Sequence, residues 1–145
     1  MNYKIIDSTI ILSLDKNDFI NESIKKVFKQ EKLAFGWVSG IGAIYNIELG
    51  YYDIERKEYV KKKIKEEHEL LSIAGNITFL NSEYFVHTHI SISDKEFNAF
   101  GGHLFDAQIA AAGEFKISLF DCNIDRKLSS DIGLNLWCIK KNEDN

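Results

Sequence analysis

The segment Tyr84–Leu104 concentrates the side chains that could hold a metal. His87, His89 and His103, three of the chain's four histidines, lie in it. Imidazole nitrogen suits zinc and other borderline divalent metals, and three such ligands leave a fourth tetrahedral position for water or a small ligand. Residues Tyr84 to Ser93 alternate with the period of two expected of a half-buried strand. Tyr84, Val86, Thr88, Ile90 and Ile92 share one face, and Phe85, His87, His89, Ser91 and Ser93 share the other. The H-x-H pair therefore falls on the more polar face, where a core histidine would not naturally sit. Asp94 to Phe100 reads as a loop. Gly101-Gly102 offers the backbone freedom for a turn that returns His103 beside the pair. The plain alternative is two surface histidines on an open sheet and a hydrogen-bonded histidine in a turn; spacing alone leaves both open.

Holding these residues requires a sheet, and the rest of the chain supplies one. Tyr3 to Leu14 reads as one or two strands. Asp15, Asn17 and Asp18 are each competent helix N-caps. From Asp18 to about Lys32, Ile20, Ile24, Val27 and Phe28 form one apolar stripe, with Lys25, Lys26 and Lys29 outside it. Leu33 to Val38 and Ile44 to Asp53 read as two strands. Between them, Gly40 and Gly42 resemble a phosphate-cradling loop but lack its third glycine and its following helix. A bulge or a close backbone approach is the simpler use. The charged run from Arg56 to Glu67 reads as a hydrated edge strand or loop, its lysines discouraging edge pairing. His68 ends that run as a surface histidine. Leu70–Leu80 and Tyr84–Ser93 form a hairpin joined at Asn81-Ser82-Glu83. Phe105 to Gly113 reads as strand or turn, Glu114 to Asp121 as a strand, Asp125 to Gly133 as a connection, and Leu134 to Ile139 as a last strand. The expected fold is α+β: a mainly antiparallel sheet of about six or seven strands with one amphipathic helix, in a single domain over 1–140 with a polar tail at 141–145.

Composition narrows the function. The net charge is −4, the reverse of the basic surplus that phosphate contacts favour. Proline is absent, so no Arg-Gly-Arg-Pro AT-hook occurs, and no helix-turn-helix or zinc-finger spacing appears. No apolar run approaches the ~20 residues needed to cross a bilayer. The N-terminus lacks a basic stretch followed by an apolar one. Cys122 and Cys138 belong to no C-x-x-C motif and read as small residues of apolar strands. The expected setting is a reducing cytoplasm.

Several motifs recur in one order: S-G-I-G-A at Ser39 to Ala43, L-G-Y-Y-D at Leu49 to Asp53, E-L-L-S-I-A-G-N-I at Glu69 to Ile77, H-T-H at His87 to His89, and G-G-H-L at Gly101 to Leu104. Together they resemble the PPC ("plants and prokaryotes conserved") domain, from the first strand to about Cys138. The resemblance implies an α/β fold with a mainly antiparallel sheet, a packed helix and assembly as a homotrimer. Plant members are nuclear DNA-binding regulators that carry AT-hooks, and single-domain prokaryotic members are commonly labelled DNA-binding. The histidines of H-x-H and G-G-H-L are the family's proposed metal site, which maps onto His87, His89 and His103. The family also places the Ser39–Ala43 segment, with Gly40 and Gly42, near the subunit contacts and that site, and the other segment, that of Glu48, near the site. Gly101, Gly102 and Asp106, beside His103, complete the candidate ligand-binding set. Asp106 or Glu48 could serve as general base, fourth ligand or orienting partner. The expected function is a trimeric zinc-binding protein with a DNA-binding or regulatory role; the alternative is a metal-dependent hydrolase or a small-metabolite-binding protein without DNA.

Overall fold

The protein is described by a computed structural model covering residues 1–139; the expected tail at 141–145 lies outside the described residues. Its elements run β1 (Asn2–Ile6), β2 (Thr9–Asp15), α1 (Ile20–Glu31), β3 (Phe35–Asp53), β4 (Glu58–Ile64), β5 (His68–Leu80), β6 (Glu83–Ser93), β7 (Ala99–Phe120), β8 (Asp125–Leu128) and β9 (Asn135–Cys138). All belong to one sheet ordered β1-β2-β7-β3-β5-β8-β9, with β4 on β3, and β6 on both β5 and β7. Every pairing is antiparallel except β5 with β8. The pairings β3–β5, β5–β6, β6–β7 and β7–β3 close a ring. An α+β fold built mainly of strands is what the sequence implied.

The helix forms where its apolar stripe requires. Ile20, Ile24, Val27 and Phe28 are wholly buried, packed with strand residues such as Ile10, Ile44, Ile77, Ile92 and Ile117. Its start differs from expectation. Phe19 is the N-cap residue and has no capping side chain of its own, and none of Asp15, Asn17 or Asp18 takes that place. The cap arrives from β7, where the Asp106 carboxylate accepts the N–H groups of Asn21 and Glu22 at 3.0 and 3.4 Å. Asp18 instead accepts the Asp15 N–H at 2.9 Å and pairs with the N-terminal amine. Lys32 ends the helix in the left-handed conformation, its N–H bonded to the Phe28 carbonyl.

Nine strands form among the described residues where six or seven were expected. Leu33–Val38 and Ile44–Asp53 are not separate strands: β3 runs through both, and the Gly40–Gly42 stretch is a bulge in its pairing with β5. Phe105–Gly113 is strand throughout, joined to Glu114–Phe120 in β7, because β3 pairs along it and β2 pairs with its second half. That pairing overrides the helical preference of Ala110 to Ala112. Asp125–Gly133 is no mere connection: β8 lies in it, beside β5 through Phe79 and Asp125. The β5–β6 loop is shorter than expected, with Asn81 and Ser82 both at positive φ, as a type I′ hairpin demands. The charged run does form the edge strand β4, which pairs only with β3. Cys122 is exposed instead of sitting in an apolar strand, and Cys138 is half-buried; both are free. No helix among the described residues is long and apolar enough to cross a membrane.

Candidate metal centre

Two neighbouring strands build the centre. His87 and His89 share one face of β6, and antiparallel pairing places His103 of β7 directly opposite His89. Gly101-Gly102 does not make the expected turn. Both glycines lie inside β7, paired with Ser91 and Ile90. The reversal occurs earlier, at Asp94, whose carboxylate accepts the N–H groups of Glu96 and Asn98 at 3.0 and 2.9 Å. What glycine supplies at 101 is space: a Cβ there would stand 2.0 Å from the Ile90 carbonyl oxygen. Behind the strands, buried Asn21 of α1 donates to the Leu104 and Phe105 carbonyls and accepts from the Thr88 hydroxyl. It thereby ties both histidine-bearing strands to one helix.

The three imidazoles form a nearly equilateral triangle. Ring centroids are 5.2 Å apart for His87–His89, 5.2 Å for His87–His103 and 5.5 Å for His89–His103. One nitrogen from each lies within 4.8 Å of the others. The Nε2 atoms of His87 and His89 are 3.3 Å apart. Two nitrogens at ~2.0–2.1 Å from a tetrahedral zinc would be separated by roughly that distance. His103 Nδ1 is enclosed with no hydrogen-bond partner among the described residues. A buried polar atom left orphaned is costly, and a metal centre gives it a reason. The donor set, its spacing and this orphan all fit a metal ion.

Electrostatics keep two of the rings ready to bind one. Burial first, then the positive Arg126, then His89 lower the His87 pKa to about 4. Burial, the two neighbouring histidines and Lys61 lower that of His103 to about 4. Both rings are therefore neutral, with lone pairs available, at physiological pH. Tyr59 and Phe105 stand beside His103 at ring distances of 4.9 and 5.0 Å. The pairing partner of His103 across β7–β3 is Gly50, where a Cβ would strike the Phe105 and Tyr59 rings.

The other candidate residues fall elsewhere. Asp106 points to the opposite face, into the helix N-terminus, and burial raises its pKa against the pull of its N–H partners. Glu48 lies on β3 and is held by Lys61 and Lys63 at 3.1 and 3.5 Å; the Lys61 hydrogen bond chiefly lowers its pKa. Gly40 and Gly42 sit in the β3 bulge, and Gly101 and Gly102 line a shallow hollow with His89. His68 stands apart, its Nδ1 3.1 Å from the Glu66 carbonyl and its ring against Phe100. Sequence reasoning missed Asn21, Tyr59, Phe85 and Arg126. Arg126 offered one signal: it is one of two arginines in a chain that otherwise uses lysine.

Known proteins share this architecture. A family model described as the Plants and Prokaryotes Conserved (PCC) domain matches residues 1–121. The crystal structure of a candidate DNA-binding protein from Bacteroides thetaiotaomicron matches with a TM-score of 0.91 at 30% identity, over 94% of this chain and 96% of that one. A structure described as a metal-containing protein from Archaeoglobus fulgidus matches with a TM-score of 0.84 at 31% identity, over 95% and 97% of the two chains. A plant- and prokaryote-conserved (PPC) protein from Pyrococcus horikoshii gives a TM-score of 0.85 at 31% identity, over 97% of each chain. No curated protein sequence matches the chain.

Proposed function

The chain belongs to the Plants and Prokaryotes Conserved (PCC) domain family, and from that membership we propose a homotrimeric metal-binding protein whose ion is held by His87, His89 and His103. The observation that carries the reading is the convergence of three ring nitrogens from two paired strands. Zinc suits three nitrogen donors with one open tetrahedral position, and when bound it supplies Lewis acidity there. The description of the Archaeoglobus relative as metal-containing supports the same assignment. Support for the trimer comes from the sheet face opposite α1, where Ile11, Trp37 and Ile41 are exposed. Ile11, Lys116, Ser39, Ala74, His89 and His103 pair successively in one row across that face. That row leads from the exposed apolar residues round the closed ring to the candidate centre, and further copies of the chain would cover its apolar end.

DNA binding is the second reading, favoured by the description of the Bacteroides relative. The charges weigh against it. Lys61 and Lys63 are paired with Glu48, and Lys62 lies over the Phe100 ring. Enzymatic turnover has less support, since no carboxylate lines the cavity beside the histidines among the described residues.

Metal analysis tests the first reading: the wild type should hold one ion per chain and His89→Ala should lose it, and equal metal content in both would overturn it. A mobility shift on AT-rich duplex at ~50 mM salt, where phosphate contacts are strongest, tests the second.

A further inference from the structure

Arg126 is buried, with 8% of its surface exposed. Its Nε donates to the Thr78 hydroxyl at 2.8 Å, and its terminal nitrogens to the Asn135 carbonyl at 2.9 Å and Asn76 Oδ1 at 2.8 Å. The guanidinium lies 4.8 Å from the centre of the Phe85 ring. Every one of these acceptors is neutral, and no carboxylate pairs with Arg126 among the described residues. A guanidinium carries five N–H groups, so one on each terminal nitrogen remains free. Burying a cation without an opposite charge is expensive. A structural tie between β8 and β5 accounts for three of the five N–H groups and leaves the charge without a counterion.

The free N–H groups belong to a residue that lines a cavity of about 320 Å³. Arg126 and Asn135 share that lining with His87 and His103, and the rest is aromatic and aliphatic: Tyr59, Phe85, Phe105 and Leu136 among others. Its size is at the small end for ligand pockets, and its few polar groups among apolar walls are typical of them. Arg126, Asn135 and Leu136 come after the stretch that the family model matches, which ends at residue 121.

We propose that this cavity binds a small organic carboxylate: the acid group pairs with the two free N–H groups of Arg126, and its hydrocarbon body lies along the aromatic wall beside the metal centre. A carboxylate presents two coplanar oxygens to a guanidinium fork. A phosphate dianion would need more donors than one half-used arginine supplies, and it has no use for apolar walls. The proposal rests on the metal-site reading only for the ion beside the cavity; the Arg126 pairing is independent of it.

Calorimetric titration of phenylacetate into the full chain, metal-stripped and cobalt(II)-loaded, is the test. Phenylacetate should bind saturably at one per chain, with phenylacetamide and inorganic phosphate at least about tenfold weaker, the loss expected when a buried charged hydrogen bond goes unmade. Arg126→Gln should weaken phenylacetate by a similar factor while cobalt content stays unchanged. Should that variant not fold, the comparison of acid with amide on the wild type still decides. Equal affinity for acid and amide, preference for phosphate, or no saturable heat in the millimolar range overturns the proposal. Acid-selective binding by a chain that takes up no cobalt would sink the metal reading alone. Cobalt uptake without acid binding would sink this one alone.

Discussion

If His87, His89 and His103 hold an ion as proposed, Gly101→Ala removes no ligand and should still damage the centre. The Cβ it adds would stand 2.0 Å from the Ile90 carbonyl oxygen, whereas real Cβ atoms essentially never approach closer than 3.0 Å. β6 and β7 must then separate by about 1 Å at this point. Gly101 lies two residues before His103, and Ile90 follows His89 directly, so the displacement falls on the pair that brings the rings together. Metal–ligand distances tolerate about 0.2 Å, so a shift five times larger detaches one strand's contribution. Metal affinity should fall about 10–100-fold, the range seen when the support of a ligand is lost. Forcing an atom into packed space should also cost about 1–3 kcal/mol of stability. Gly102→Ala is the milder comparison: its Cβ would stand 2.9 Å from the Gly50 carbonyl oxygen, only just inside that limit, so the shift it forces is far smaller than at Gly101. Competition against a chromophoric chelator gives the affinities, and urea melts give the stabilities. If Gly101→Ala binds metal as tightly as the wild type, then glycine at this place does not set the spacing of the rings.

Two further predictions address the supports of the site. In the metal-free protein, His87 and His103 have folded-state pKa values of about 4 against an ordinary 6.5, so the unfolded chain binds more protons between those limits. Their contribution is then fully present above about pH 6.5 and is lost as pH falls toward 4; urea melts of the metal-free chain should show that decline, and a flat profile would contradict it. Asp106→Ala should cost about 1–2 kcal/mol by uncapping α1, measured as a lower urea midpoint at unchanged slope. Asp106→Asn, which keeps an acceptor, should cost less, and neither should change metal content.

What could be read from the sequence follows how local the cause is. The alternation of Tyr84–Ser93 assigns its two faces without knowledge of any partner, and the buried and open sides of β6 follow it as far as Ile92; Ser93, at the strand's end, is buried. The helix stripe is local in the same way. The partner of His89 is not local. Gly101-Gly102 carries the composition of a turn, and only the close passage of Ile90 shows that the glycines serve a strand pairing. Asp106 could not be read as a helix cap, because its partners lie 85 and 84 positions away. Arg126 was hidden for a related reason: β8 has four residues, too few for a periodic signal, and is placed by a parallel contact with β5.

The placement of the acids bears on what such a centre can do. Hydrolysis at a metal draws on a positioned base, a histidine or a carboxylate among the common ones, to move a proton. Here Asp106 is committed to the helix on the far face, and Glu48 to two lysines. The cavity that reaches His87 and His103 contains a guanidinium and no described acid. With the imidazoles neutral, its field is positive before any ion arrives, and a divalent cation would make it more so. Such a field favours holding an anion over abstracting a proton. Under the proposed carboxylate binding, the guanidinium and an ion held by the three histidines would act on the same guest.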